Sequence, residues 1–143
     1  MVEFAIVVVL LIAILYGIIS YGLILAAQST LTQGAADATR SGLITSTPVA
    51  TAEGQACNDI AWMAKTCGKP VTYDANACTF SPNPAYDITS FACQMKCPSN
   101  VNAQCLKVTL SYNYSANPLF PVLPGLGIIT PSTLTSANVL QTP

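Results

Sequence analysis

From Phe4 to Ala27 almost every side chain is apolar, and between Glu3 and Asp37 the chain carries no Asp, Glu, Lys or Arg. About 20 such residues, rising about 1.5 Å each, cross a hydrocarbon core of about 30 Å. The run therefore predicts a helix of membrane length. No Lys or Arg precedes it in this sequence, and it outlasts the short apolar region of an ordinary signal peptide. Helix-compatible residues continue to Thr45, with Leu31, Ala35, Ala38 and Gly42 on one narrow stripe. Asp37 and Arg40 are placed to pair weakly along the same helix. The expected helix runs from about Val2 to Thr45, roughly 65 Å. Its first half is apolar all round, and its second half carries a packing stripe. Gly17 and Gly22 interrupt the apolar half; their spacing does not make the GxxxG dimer motif. Each costs about 1 kcal/mol against alanine, which suits close helix approach, local melting or plain tolerance in a membrane helix.

Ser46-Thr47-Pro48 reads as a stop and a restart, because Pro48 disfavours helix at Thr47 and suits the first turn of a new helix. Val49, Ala52, Ala56, Ile60, Met63 and Cys67 then recur at steps of three and four, predicting a second helix as far as Gly68 that lies on a sheet. Beyond Pro70 the period falls to two. Short strands are expected at Val71–Tyr73 and Ala77–Phe80, with a turn at Ser81–Pro84. Longer ones are expected at Phe91–Cys97, Leu106–Tyr114 and Thr133–Leu140. The fold class is thus α+β: a long apolar N-terminal helix, and a shorter helix packed on a small antiparallel sheet. Residues 1–46 form the long helix, with 1–27 as its membrane or filament-core part, and 47–143 form an extracytoplasmic globular domain. The apolar stretch between Asn117 and Pro131 is hard to bury in so small a domain. Leu119, Phe120, Val122, Leu123, Leu126 and Ile128 are its candidate subunit-contact residues, with packing on the domain itself as the alternative. Trp62 and the tyrosines at 73, 86, 112 and 114 are expected in the core.

Composition narrows the chemistry. Charged residues are 8% of the chain, against about 25% in typical domains, and the net charge is −1 with no histidine. No basic patch offers itself to nucleic acid. No phosphate loop, GxSxG elbow or other nucleophile motif is present, and the aspartates are scattered singly, so no enzyme and no cofactor are expected. The six cysteines all follow the apolar segment, contain no CxxC pair and have no histidine beside them. That arrangement favours disulfides in an oxidising compartment over zinc. On an unbroken second helix Cys57 and Cys67 stand about 15 Å apart, and along a strand Cys93 and Cys97 stand about 13 Å apart. Neither distance allows a bridge. The expected pairs are Cys67–Cys78, Cys97–Cys105 and Cys57–Cys93. The pair Cys97–Cys105 brings a conflict, since Cys97 shares a face with Phe91 and Met95 while Cys105 shares one with Lys107 and Thr109.

The opening resembles type IV pilin-like proteins, and more narrowly the TadE-like pseudopilins of tight-adherence (Flp-type) pili. The residues that carry this are Val2-Glu3-Phe4-Ala5, Gly17-Ile18-Ile19 with Tyr21-Gly22, and Leu31-Thr32-Gln33-Gly34-Ala35-Ala36-Asp37-Ala38-Thr39-Arg40. Looser similarity lies in the Pro/Gly loop and in Leu134-Thr135-Ser136-Ala137. Family members usually have proline where Val9 stands, an acid at Ser20 and an arginine at Leu23. The resemblance implies a structural subunit, cut by a prepilin peptidase, held in the inner membrane and then polymerised with identical subunits by the assembly machinery into an extracellular adhesive pilus. It covers a main filament subunit and a minor priming subunit alike. A different class of reading is a membrane-anchored envelope domain that binds a partner without polymerising. Glu3, Phe4, Gly17 and Gly22 are the candidate assembly residues. Glu3 is expected to meet an N-terminal ammonium inside the filament, a pair whose breaking costs about 3–5 kcal/mol if it is buried.

Overall fold

The computed structural model describes residues 2–99, 102–119 and 131–142. Helix α1 spans Val2–Leu43, 42 residues, or about 63 Å. Helix α2 spans Pro48–Asp59, with Pro48 at its start. The strands are β1 (Cys67–Gly68), β2 (Thr72–Asp74), β3 (Thr79–Ser81), β4 (Ile88–Lys96), β5 (Gln104–Tyr112) and β6 (Leu134–Gln141). One sheet has the order β1-β4-β5-β6, and β2 and β3 form a separate hairpin. The β4-β5 and β5-β6 pairs are antiparallel, whereas the short β1 runs parallel to β4. The class is α+β, as the period change along the chain implies.

The two halves of α1 have different surroundings. Ile24, Ala27, Leu31, Ala35 and Ala38 are buried, and they recur at helical spacing on one face. This face packs against α2 and the sheet, joining Ala52, Ala56, Ile60, Leu106, Val108, Leu110 and Tyr112 in one core. Small residues set the approach. A Cβ added at Gly42 would lie 2.6 Å from Leu106 Cδ2 and 2.8 Å from the Pro48 carbonyl oxygen, so only glycine lets α1 come this close to the start of α2. Thr39 donates to Asn138 Oδ1 (3.3 Å) and Ser136 to Thr32 (3.3 Å), which sets α1 and β6 running in the same direction. The sheet end at Ile88, Tyr112 and Leu134 therefore lies toward the apolar half of α1. The upper half of the helix is thus a layer of the domain.

The second face of β4 is also covered. Phe91, Cys93 and Cys78 are buried together with Phe80 and Met95 packed on them. The Tyr73 and Phe80 rings each stand 5.4 Å from the Phe91 ring. The β2-β3 hairpin is tightened by Asp74 Oδ1, which accepts from the N–H groups of Asn76 (2.8 Å) and Ala77 (3.2 Å). Register resolves the face conflict of the sequence reading. Met95 lies opposite Cys105, and Phe91 opposite Thr109, so Cys97 and Cys105 share the face turned away from the helices. Leu106, Val108 and Leu110 occupy the helix-facing side with Ile88 and Ala92. The expected Phe91 alternation and Leu106 alternation belong to opposite faces of one sheet.

Three disulfides link Cys57–Cys67, Cys78–Cys93 and Cys97–Cys105, with Cα separations of 5.7, 5.9 and 5.1 Å. The expected Cys67–Cys78 and Cys57–Cys93 pairs do not form. Their premise, a helix continuing to Cys67, fails because α2 ends at Asp59. The chain then turns, with Met63 N–H bonding to the Ile60 carbonyl (3.0 Å). Asp87 Oδ2 takes the Lys65 and Thr66 N–H groups at 2.9 and 3.1 Å. These contacts fold Cys67 back beside Cys57. Met63 is buried by that turn, so a three-four stripe of apolar residues outlasted the helix itself.

Candidate assembly surface on the first helix

Below Ile24 most side chains of the helix are exposed, with Tyr16 and Ser20 half-buried. Phe4 is 75% exposed, Ile18 65% and Tyr21 62%. Exposed apolar residues occur on every side between Phe4 and Leu25, among them Ile6, Val9, Leu11, Ile14 and Leu15. The most apolar 18-residue window of this helix has a mean hydropathy of 2.7, and none of it is buried within the fold; it is long and apolar enough to cross a membrane. Exposed apolar patches on monomers seldom exceed a few hundred Å². A surface of this extent requires lipid or other protein around it.

The four candidate assembly residues all lie on this surface. Glu3 is exposed in the first turn, where a carboxylate meets the positive end of the helix dipole. Its expected partner is an N-terminal ammonium of its own chain or a neighbour's, and Met1 lies outside the described residues. Gly17 and Gly22 have nothing within 4 Å of where a Cβ would stand. Among the described residues no contact therefore accounts for either glycine. Of the candidate contact loop, Leu119 is half-buried against the main core, while Phe120, Val122, Leu123, Leu126 and Ile128 lie outside the described residues.

Trp62 and Tyr73, expected in the core, are 66% and 65% exposed. Trp62 sits on the turn after α2 rather than on its buried face. Tyr112 and Tyr114 are buried, ring centroids 6.2 Å apart and edge to face, and the Tyr112 hydroxyl donates to the Asn117 carbonyl. Burial raises the pKa of both phenols. The Asp87 charge and then Tyr114 add to the effect on Tyr112, and Tyr16 adds to that on Tyr114.

One buried charge escaped the sequence reading. Glu53 on α2 is 9% exposed. Its Oε2 pairs with Lys69 Nζ at 3.2 Å, and its Oε1 accepts the Ala92 N–H of β4 at 3.4 Å. It covers an otherwise open edge of β4 beyond the two-residue β1. Its place directly after the core residue Ala52 was the only signal. The Asp37–Arg40 pair is present at 3.8 Å with both side chains exposed, an arrangement worth about 0–1 kcal/mol. Among the described residues no group of three or more His, Cys, Asp or Glu is placed to hold a metal ion.

A family model described as TadE-like protein matches residues 1–40. No curated protein and no solved structure matches the chain. The matched stretch covers the exposed apolar half of α1 and continues through Leu31, Ala35 and Ala38 of its packed half. Over residues 1–40, most of helix α1, the chain is similar to TadE-like proteins.

Proposed function

We propose that the protein is a structural subunit of a Tad-type pilus, held in the membrane by the lower half of α1 and polymerised through that same surface. The observation that carries this reading is the apolar helix half, most of whose side chains from Phe4 to Leu23 are exposed among the described residues, coinciding with the TadE-like match. A helix that only anchors a domain needs length and apolarity. A helix that leaves lipid for a filament also needs close approach and a defined register. Gly17 and Gly22 supply open sites for close approach. Glu3 supplies a polar mark in an otherwise uncharged run.

Lipid tails are as apolar as leucine, so the hydrophobic effect does not draw the helix out of the bilayer. Extraction therefore requires work from partner proteins, and burial against neighbouring helices holds the subunit afterwards. The disulfides limit the disorder available to the outer domain when it is unfolded.

The test is to shear surface fibres from cells producing the native chain or Glu3→Ala, image them by electron microscopy and identify their subunits by mass spectrometry. Native chain in the fibres, with Glu3→Ala retained in the membrane fraction, is the expected result. A native chain found only in the membrane and monomeric in detergent would favour the anchored envelope domain instead. Normal assembly of Glu3→Ala would reduce Glu3 to a solvated acid of the first turn.

A further inference from the structure

We propose that, while the chain is membrane-held, the end of the globular domain nearest the apolar helix rests on the lipid surface, with Trp62 as its interfacial anchor. This rests on the membrane stage of the function proposed above and adds a second membrane contact to the helix.

Length makes the first argument. Ile24 is the first buried residue of α1. From Glu3 to Leu23 the helix covers about 31 Å, close to the roughly 30 Å of a hydrocarbon core. No length remains for a stalk between bilayer and domain. Overlap makes the second. Ser20, inside the apolar run, is half-buried with its hydroxyl enclosed. Tyr16 is half-buried and lies near enough to Tyr114 to act on its phenol. Phe4 to Tyr16 is only about 18 Å of helix. A bilayer spanned by α1 therefore reaches the level at which the domain already touches it.

The chemistry of this end suits a lipid headgroup region. The turn bearing Trp62 is tied to it: Lys65 and Thr66 donate to Asp87, just before β4, and the Asp87 carbonyl accepts from Asn113, just past β5. Trp62 is exposed, and so is Lys65 three residues on. Tryptophan gathers at membrane interfaces, where its ring is apolar and its N–H finds a polar partner. A nearby ammonium can meet lipid phosphate. The far end of the domain, where α1 stops, exposes Ile44 at 86% and provides the internal contrast.

Trp62 is the sole tryptophan, so the native chain reports its own position. The full chain is reconstituted in phosphatidylcholine–phosphatidylglycerol vesicles whose acyl chains are brominated near the headgroup or near the tail end. Two further chains carry Leu10→Trp or Ile44→Trp in a Trp62→Phe background. The expected result is blue-shifted Trp62 emission with loss of intensity in the shallow-brominated vesicles, quenching of the Leu10→Trp reporter by deep bromines, and no quenching of the Ile44→Trp reporter. A quenched Leu10→Trp beside a water-like, unquenched Trp62 overturns the proposal while leaving the membrane span intact. An unquenched Leu10→Trp overturns both. A Trp62 shielded from aqueous quencher yet untouched by bromine also overturns it, and assigns the site to contact between copies of the chain.

Discussion

Single residues decide how closely the layers approach. Gly42 is the tightest point, where a Cβ would strike Leu106 and the Pro48 carbonyl. The backbone oxygen cannot rotate away, so Gly42→Val should force α1 from α2 and destabilise the domain by about 1–3 kcal/mol, the range for overpacking a core. Denaturant unfolding monitored by Trp62 fluorescence would measure it. Tyr112 makes a pH-dependent contribution. Its pKa is raised in the fold from 10.0, first by burial and then by Asp87 and Tyr114. The folded state therefore holds its proton more tightly than the unfolded chain. Stability from this group is complete below about pH 10 and is lost as pH rises through the raised folded value. Tyr112→Phe should flatten the alkaline fall in melting temperature. At neutral pH it should cost about 1 kcal/mol, for the lost bond to the Asn117 carbonyl.

At the scale of elements, the disulfides tie together pieces that the sheet alone does not hold. Cys57–Cys67 fixes the turn after α2, Cys97–Cys105 closes the β4-β5 connection, and Cys78–Cys93 pins the β2-β3 hairpin to the outer face of β4. The hairpin has only three residues in each strand, and isolated hairpins of that kind are marginal in water. Replacing Cys78 and Cys93 together by serine should therefore release the hairpin and cost about 3 kcal/mol, the scale for a closed loop of about 15 residues. Protection of the Thr72 and Thr79–Ser81 amides in hydrogen exchange would fall more than that of β5. Peptide mapping without reduction should recover the three observed bridges. Recovery of a Cys67–Cys78 link would contradict the turn at Ile60–Ala64.

At the scale of the molecule, the chain is one helix with two duties. Its upper half is a core layer, and its lower half is a surface awaiting lipid or neighbours. The two duties separate at Gly17. A Cβ there meets nothing within 4 Å among the described residues, and alanine favours helix over glycine by about 1 kcal/mol. Gly17→Ala should thus leave the detergent-solubilised subunit as stable as before or slightly more so. If the proposed assembly brings neighbouring helices close at this site, the same change should lower the yield of sheared fibres. Equal fibre yield would mean that the glycine is merely tolerated. Gly42→Val should do the opposite, weakening the domain before assembly is reached.

Much of this was legible in the one-dimensional pattern. Hydrophobic period separates the apolar helix, the Leu31–Gly42 stripe and the strands around β4, β5 and β6, because period reflects which side chains can be buried on a helix or a strand, and Pro48 marks the start of α2. The TadE-like character was likewise present in the order of residues 1–40. What the sequence could not settle was where neighbouring elements interrupt one another. Asp87 ends the excursion after α2 by taking two backbone N–H groups from residues over 20 positions away. That one contact moves Cys67 beside Cys57 and so changes the connectivity of two disulfides. Which face of β4 met the helices depended on register with β5. Trp62 and Tyr73 stayed outside because the core they were expected to fill is closed by alanines and aliphatic residues from α1, α2 and the sheet. Local periodicity determines which segments seek burial; only the tertiary structure decides what buries them.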